Sequence, residues 1–233
     1  MSGSWLKLLA IVTMTADHLA LFVLRFFPGF MKPLFMIGSH PVSWYVLMRG
    51  VGRMAFPLFA FLLVEGFLHT RSRRRYGMGL LLFGLLSMVP WSLACYGCLF
   101  TLSTLNIFFT LLLGFLALCA ISRWEAGRLG GLRLAVVLVF LMLIACLLHF
   151  DYEAPGVGFI IALYALRHQP ALRAAVGIAI IPARWKAGLA FIPISLYNGR
   201  RGFIKGPIAK YAFYVFYPLH LLLLYIIREV FVV

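Results

Sequence analysis

The sequence predicts an all-α fold: a polytopic membrane bundle of about nine transmembrane helices, with the N-terminus cytoplasmic. Three observations carry that prediction. Of 233 residues, 64% are hydrophobic and only 12% charged, and the mean hydropathy is +1.02; a soluble domain carries about 25% charged residues. The apolar residues gather into runs near the ~20 residues needed to cross a bilayer. The basic residues sit between those runs and favour one side, which is the positive-inside pattern.

Taken in order, helices are expected near 5–27, 42–68, 77–97, 105–122 and 134–150. Three shorter apolar segments follow near 155–167, 171–183 and 186–198, and a long last helix near 208–231. The short segments suit tilted or incomplete spans, whose free backbone groups need protein or water around them. The first run is too long for the apolar part of a leader peptide and no A-x-A site follows it, so it is expected to stay as a span.

The connecting segments orient the chain. "HTRSRRRYG" at 69–77 holds four arginines, "SRWEAGRLGGLR" at 122–133 three, "LRHQPALR" at 166–173 two, and "NGRRGFIKGPIAK" at 198–210 two arginines and two lysines. With Lys7, these place fourteen of the twenty-one basic residues on one side. Arg25, Lys32, Arg184, Lys186 and Arg228 fall on the other. The net charge of +15 is therefore a topology signal, and no basic soluble domain is present to bind nucleic acid. The chain reads as a single integral-membrane domain over 1–233, without internal repeats or low-complexity tracts. "CYGC" at 95–98 is a lone CxxC at a helix end; it reads as two small thiols, or as a disulfide if that end meets an oxidising compartment.

Ionisable residues inside apolar runs cost roughly 2.5–3.5 kcal/mol each on insertion scales, so they mark a partner or a function. Asp17 and His18 stand together in the first helix. Arg49 and Arg53 share a face of the second, Glu65 lies near its cytoplasmic end, and Pro57 predicts a kink between them. His220 follows Pro218 in the last helix. Depth along the helices allows Asp17 to pair with Arg53 or Arg49. Adjacent helical residues diverge by about 100°, so His18 then faces elsewhere. Two imidazoles and an arginine can meet at similar depth. For each residue a purely structural role stays open: an ion pair for Asp17, a carbonyl bond for His220, a neutralising charge beside the arginine loop for Glu65. Asn106 opens the fourth helix, as a cap or as the lining of a site. No third ligand joins His18 and His220, so no metal is expected.

Four blocks together resemble the TraX family of F-pilin acetylation proteins: "LKLLAIVTMTADH" at 6–18, "RGVGRMAFPLFAFLLVEGFLHTRSRRRY" at 49–76, "NIFFTLLLG" at 106–114, and "LYNGRRG" at 196–202 followed by "FYPLHLLLLY" at 216–225. The resemblance spans nearly the whole chain in order, with little that is diagnostic between 120 and 195. It implies a transmembrane acyltransferase in a bacterial inner membrane, similar to the lysosomal heparan N-acetyltransferase and to enzymes that acylate surface glycans. Acetyl-CoA would be the acyl donor, taken from the cytoplasm as a substrate. The acceptor would be a pilin N-terminus or another protein, a glycan or a small amine, and monomer and homodimer both stay open. The resemblance also implies a catalytic histidine on an early helix, and the matching position is His18.

Acyl transfer from a thioester needs a base, for which histidine is suited, and donors for the developing oxyanion. On this reading His18 is general base or acetylated nucleophile, with Asp17, Arg53 and His220 completing the catalytic set. Residues expected to contact the donor are Arg49, Glu65, Arg71, Arg74, Asn106, Asn198 and Arg200. Arg73, Arg75, Arg201 and Lys205 add to a basic cytoplasmic mouth for the phosphates. The alternative is a proton-coupled small-molecule transporter, because intramembrane Asp, His and Arg also line proton paths.

Overall fold

The computed structural model describes residues 1–181, 184–204 and 206–232. The chain is mostly helical and divides into two compact units.

The first unit comprises Met1–Phe59, Val89–Phe100 and Trp185–Val233. Helix α1 runs over Gly3–Phe22. A one-turn helical piece at Leu24–Phe26, a short helix α2 at Pro28–Met31 and a two-stranded hairpin lead onward. The hairpin pairs β1, Phe35–Ile37, antiparallel with β2, His40–Val42, around a turn at Gly38–Ser39. The hairpin was not expected from the sequence, because its strands are three residues each and show no alternation. Helix α3, Trp44–Gly52, starts where Ser43 Oγ accepts the N–H of Val46, and α4 covers Ala55–His69. The break at Arg53–Met54 lies one turn before Pro57, which has no N–H to donate back to the Arg53 carbonyl. The anticipated kink is thus a break four residues upstream of the proline. Helix α1 packs on α3 and on the last helix.

The second unit comprises Ala60–Met88 and Thr101–Arg184. Helix α5 covers Arg73–Leu86, begun by Ser72, whose Oγ accepts the N–H of Arg75. Helix α6, Met88–Tyr96, continues it after a break at Ser87 and belongs mainly to the first unit. Pro90 lies four residues after Leu86 and cannot complete the ladder there. Helices α7, Ile107–Glu125, α8, Gly131–Leu147, and α9, Glu153–Ala165, pack on one another, and α10, Pro170–Ile180, packs on α9. Leu113, Ala117, Leu141, Ala145, Phe150 and Val157 form a dry centre among them. The chain closes with the short helices α11, Arg184–Gly188, and α12, Phe191–Ser195, then the long α13, Gly206–Phe231, in the first unit.

Among the described residues four helical segments are long and apolar enough to cross a membrane: Gly3–Phe26, Trp44–His69, Ile107–Glu125 and Tyr211–Phe231. The pair Arg73–Leu86 and Met88–Tyr96 makes a fifth if taken as one broken span. Four shorter apolar helices complete the order expected from the sequence. Gly131–Leu147, at 17 residues, falls among the short ones although the sequence predicted a full span there. Cys95 and Cys98 are not joined in a disulfide.

Candidate active site

In the first unit α1, α3 and α13 bring five of the expected site residues together. Arg49 Nη1 donates to Asp17 Oδ2 at 2.5 Å, and Arg53 Nη2 reaches the same oxygen at 3.2 Å. Asp17 is 13% exposed at its side chain, so the carboxylate is largely withdrawn from solvent between two guanidinium groups. Gly52 makes this possible. A Cβ placed on Gly52 would lie 2.2 Å from Asp17 Cβ, so any larger residue would force α1 and α3 apart. A Cβ on Gly50 would meet nothing closer than Lys186 Cδ at 3.8 Å.

His18 turns away from this pair, toward α13. Its Nδ1 lies 2.7 Å from His220 Nε2, and the two rings are nearly parallel, with centroids 5.0 Å apart. Phe22 and Tyr217 flank the His18 ring at 5.5 and 6.1 Å. His220 is buried, stacked on Phe216 and held by a bond of 3.0 Å between its Nδ1 and the Phe216 carbonyl. That carbonyl belongs to the residue four before His220, not to Tyr214, the residue four before Pro218.

These contacts assign the tautomers. A carbonyl only accepts, so His220 Nδ1 carries its proton. In the neutral ring Nε2 is then an acceptor, and His18 Nδ1 must donate across the 2.7 Å. His18 Nε2 is left with the unprotonated lone pair. A base whose second nitrogen is oriented by a fixed partner is the arrangement that nucleophilic and acid–base chemistry needs.

The other expected residues are placed as follows. Asn198 and Arg200 belong to the first unit and are exposed. Asn198 Oδ1 accepts the N–H of Arg200, and the Arg200 and Arg201 carbonyls accept the N–H groups of Gly3 and Ser4 at 2.8 and 3.0 Å. The first turn of α1, which lacks a side-chain cap, is thus completed by the 198–202 loop. Gly202, at φ +86°, lies where a Cβ would fall 2.4 Å from Ser2 Oγ. Lys205 lies outside the described residues.

Glu65, Arg71, Arg74 and Asn106 belong to the second unit. Glu65 Oε2 lies 3.7 Å from His69 Nε2, and Arg71 and Arg74 are exposed with Arg73 and Arg75. Asn106 is fully buried as the cap of α7: Oδ1 accepts the N–H of Phe108 at 3.1 Å, and Nδ2 donates to the Gly84 carbonyl at 2.9 Å. Of the two roles left open for it, the structure supplies the cap.

Sequence reasoning missed the Phe216 carbonyl, a backbone atom with no mark in the sequence. It also missed a cluster in the second unit, where Glu125 accepts from Tyr164 Oη at 2.7 Å and from Arg167 at 3.2 Å, while Arg167 lies over the Tyr164 ring. Its signal was the acid of the 122–133 segment facing the arginines of 166–173.

The profile of the family described as TraX protein matches residues 2–228. The chain belongs to the TraX family. Among curated proteins it is similar to the probable fimbrial assembly protein FimC, serogroup H1, of Dichelobacter nodosus. The two are 33% identical over 252 aligned positions that cover 96% of this chain and 94% of the relative. No solved structure matches it. In TraX terms, the first and last of the four sequence blocks are the two that supply the histidine pair.

Proposed function

We propose that this TraX-family protein is a membrane-embedded acyltransferase that moves an acetyl group from cytoplasmic acetyl-CoA to an amine or hydroxyl. The acceptor class that the family and the fimbrial-assembly relative favour is a pilin N-terminus; a surface glycan uses the same chemistry. The observation that carries the reading is the chain from the Phe216 carbonyl through His220 to His18, which leaves His18 Nε2 unprotonated.

The reaction needs little else from the protein. His18 Nε2 takes a proton from the acceptor as its nitrogen or oxygen bonds to the thioester carbonyl carbon. The carbon–sulfur bond then breaks, and the coenzyme A thiolate leaves with the proton returned from the imidazolium. Positive charge arising on His18 spreads toward His220 and the Phe216 carbonyl. Arg49 and Arg53, both on one carboxylate, supply the positive field that stabilises a developing oxyanion. The basic segment that carries Arg71 and Arg74 and, separately, the one that carries Asn198 and Arg200 each suit the phosphates of coenzyme A, because guanidinium groups bind phosphate bidentately.

Placed in a bilayer, the five longer and four shorter apolar segments make nine crossings. The N-terminus and the arginine-rich segments face the cytoplasm, and the protein is a multi-pass component of the bacterial inner membrane. The test is transfer itself: protein reconstituted in vesicles, radiolabelled acetyl-CoA supplied on the basic side, and a peptide with a free amino terminus. Label on the peptide, lost with His18→Ala, is the expected result. Saturable flux of a small molecule without acetyl transfer would replace this reading with the transporter.

A further inference from the structure

Residues 24–42, which join α1 to α3, are out of character for a segment in water. Arg25 and Lys32 are their only lysine or arginine residues, and no acid stands anywhere between Asp17 and Glu65. The remainder is dominated by apolar side chains that are open: Phe30, Met31, Phe35, Met36 and Ile37 are all exposed, Ile37 by 64%. A hairpin with one face on protein and one in water alternates apolar with polar. Strand β1 is apolar on both faces, and both faces are uncovered. Exposed apolar surface that is continuous in this way marks a binding or membrane surface.

The position of the segment narrows the choice. Helix α1 has 20 residues, about 30 Å at 1.5 Å per residue, which matches the hydrocarbon thickness. The chain therefore leaves α1 at the level of the headgroups. The outer edges of a two-stranded hairpin need water for their backbone groups, which excludes the hydrocarbon core and suits the hydrated headgroup layer. Side chains such as Phe30 and Ile37 reach the acyl chains from there. Arg25, stacked 4.6 Å over Phe26, and Lys32 complement anionic headgroups, with no carboxylate nearby in sequence to oppose them.

We propose that residues 24–42 are an interfacial anchor seated among anionic phospholipid headgroups, at the end of α1 away from the N-terminus. The anchor ties together the two helices that hold Asp17 against Arg49 and Arg53.

The test places a nitroxide at Ile37→Cys, or at Phe30→Cys, in a chain whose four native cysteines are replaced by serine. The protein is reconstituted in phosphatidylethanolamine–phosphatidylglycerol vesicles. Collision with oxygen, which concentrates in lipid, is compared with collision with a water-soluble nickel complex. Oxygen should win at both positions. Preference for nickel would overturn the anchor, and so would protection from both reagents, which would mean a protein covering the segment. Arg25→Gln combined with Lys32→Gln should lower the oxygen-to-nickel ratio at least threefold in these vesicles and leave it unchanged in phosphatidylcholine. No change in either would overturn the anionic preference. If the cysteine-free chain fails to fold, brominated lipid and a chain that keeps its cysteines give the same answer. The quenching of an indole placed by Ile37→Trp, at an exposed position of β1, is read as the difference from the parent chain; quenching is expected, and its absence overturns the anchor.

Discussion

His18 Nδ1 donates to His220 Nε2 at 2.7 Å, and this contact leaves His18 with one defined basic nitrogen. Replacing either histidine has a different expected cost. His18→Ala should remove transfer to the background rate while acetyl-CoA binding survives. A positioned base contributes about 10²–10⁴-fold. His220→Ala leaves the base in place but frees its tautomer, so kcat should fall roughly 10²-fold with KM nearly unchanged. Single-turnover assays with labelled acetyl-CoA, run beside binding calorimetry, check both. Equal loss of binding in the two variants would show a folding defect instead.

Asp17 is the shared partner of Arg49 and Arg53. Asp17→Asn strands two guanidinium groups in a largely buried place, and breaking such a pair costs about 3 kcal/mol. Asp17→Asn together with Arg49→Gln should be less destabilised than the sum of the single changes. Thermal melting in detergent around the double-mutant cycle reads the coupling. Additive losses would mean that the contacts carry no energy.

Gly52 and Gly50 stand two residues apart and should respond differently. Gly52→Ala drives a methyl into Asp17 and should cost roughly 1–3 kcal/mol through overpacking. Gly50→Ala meets only Lys186 Cδ at ordinary contact distance and should be close to neutral. Paired melting curves decide it.

Asn106→Ala should lower stability by about 1–2 kcal/mol, the cost of a lost cap. The kinetic constants for acetyl-CoA should stay as they were, since both ends of the amide are engaged within the chain. A raised KM would return Asn106 to the donor site.

Arg71→Gln and Arg74→Gln should each raise the KM for acetyl-CoA roughly fivefold, corresponding to about 1 kcal/mol for an exposed ion pair. The effect should shrink as salt is added. Steady-state kinetics at two ionic strengths test this; a loss of kcat with constant KM would contradict a phosphate-binding role.

Much of this was legible in the chain because membrane helices announce themselves through length and charge. The order of apolar segments, the break near Pro57 and the approach of Asp17 to Arg49 and Arg53 follow from helical geometry and from the cost of charge in lipid. The histidine pair was readable only as shared depth. Its polarity rests on the Phe216 carbonyl, and no side chain encodes that. Asn106 satisfied two descriptions equally in the sequence, and its bond to the Gly84 carbonyl, 22 residues away, has no mark there. The hairpin at 35–42 escaped because its strands are too short for a periodicity.

The first turn of α1 takes its missing acceptors from Arg200 and Arg201, and Ser4 and Arg201 are 197 residues apart. This sets a timetable for synthesis. At about 5–20 residues per second, α1 enters the bilayer roughly 10–40 s before the loop that completes it. During that interval Asp17 is not alone for long, because Arg49 follows only 32 residues behind. His18 waits for nearly the whole protein to be translated. A nascent chain that stalls before α13 therefore holds its charge pair but lacks the contact that orients His18.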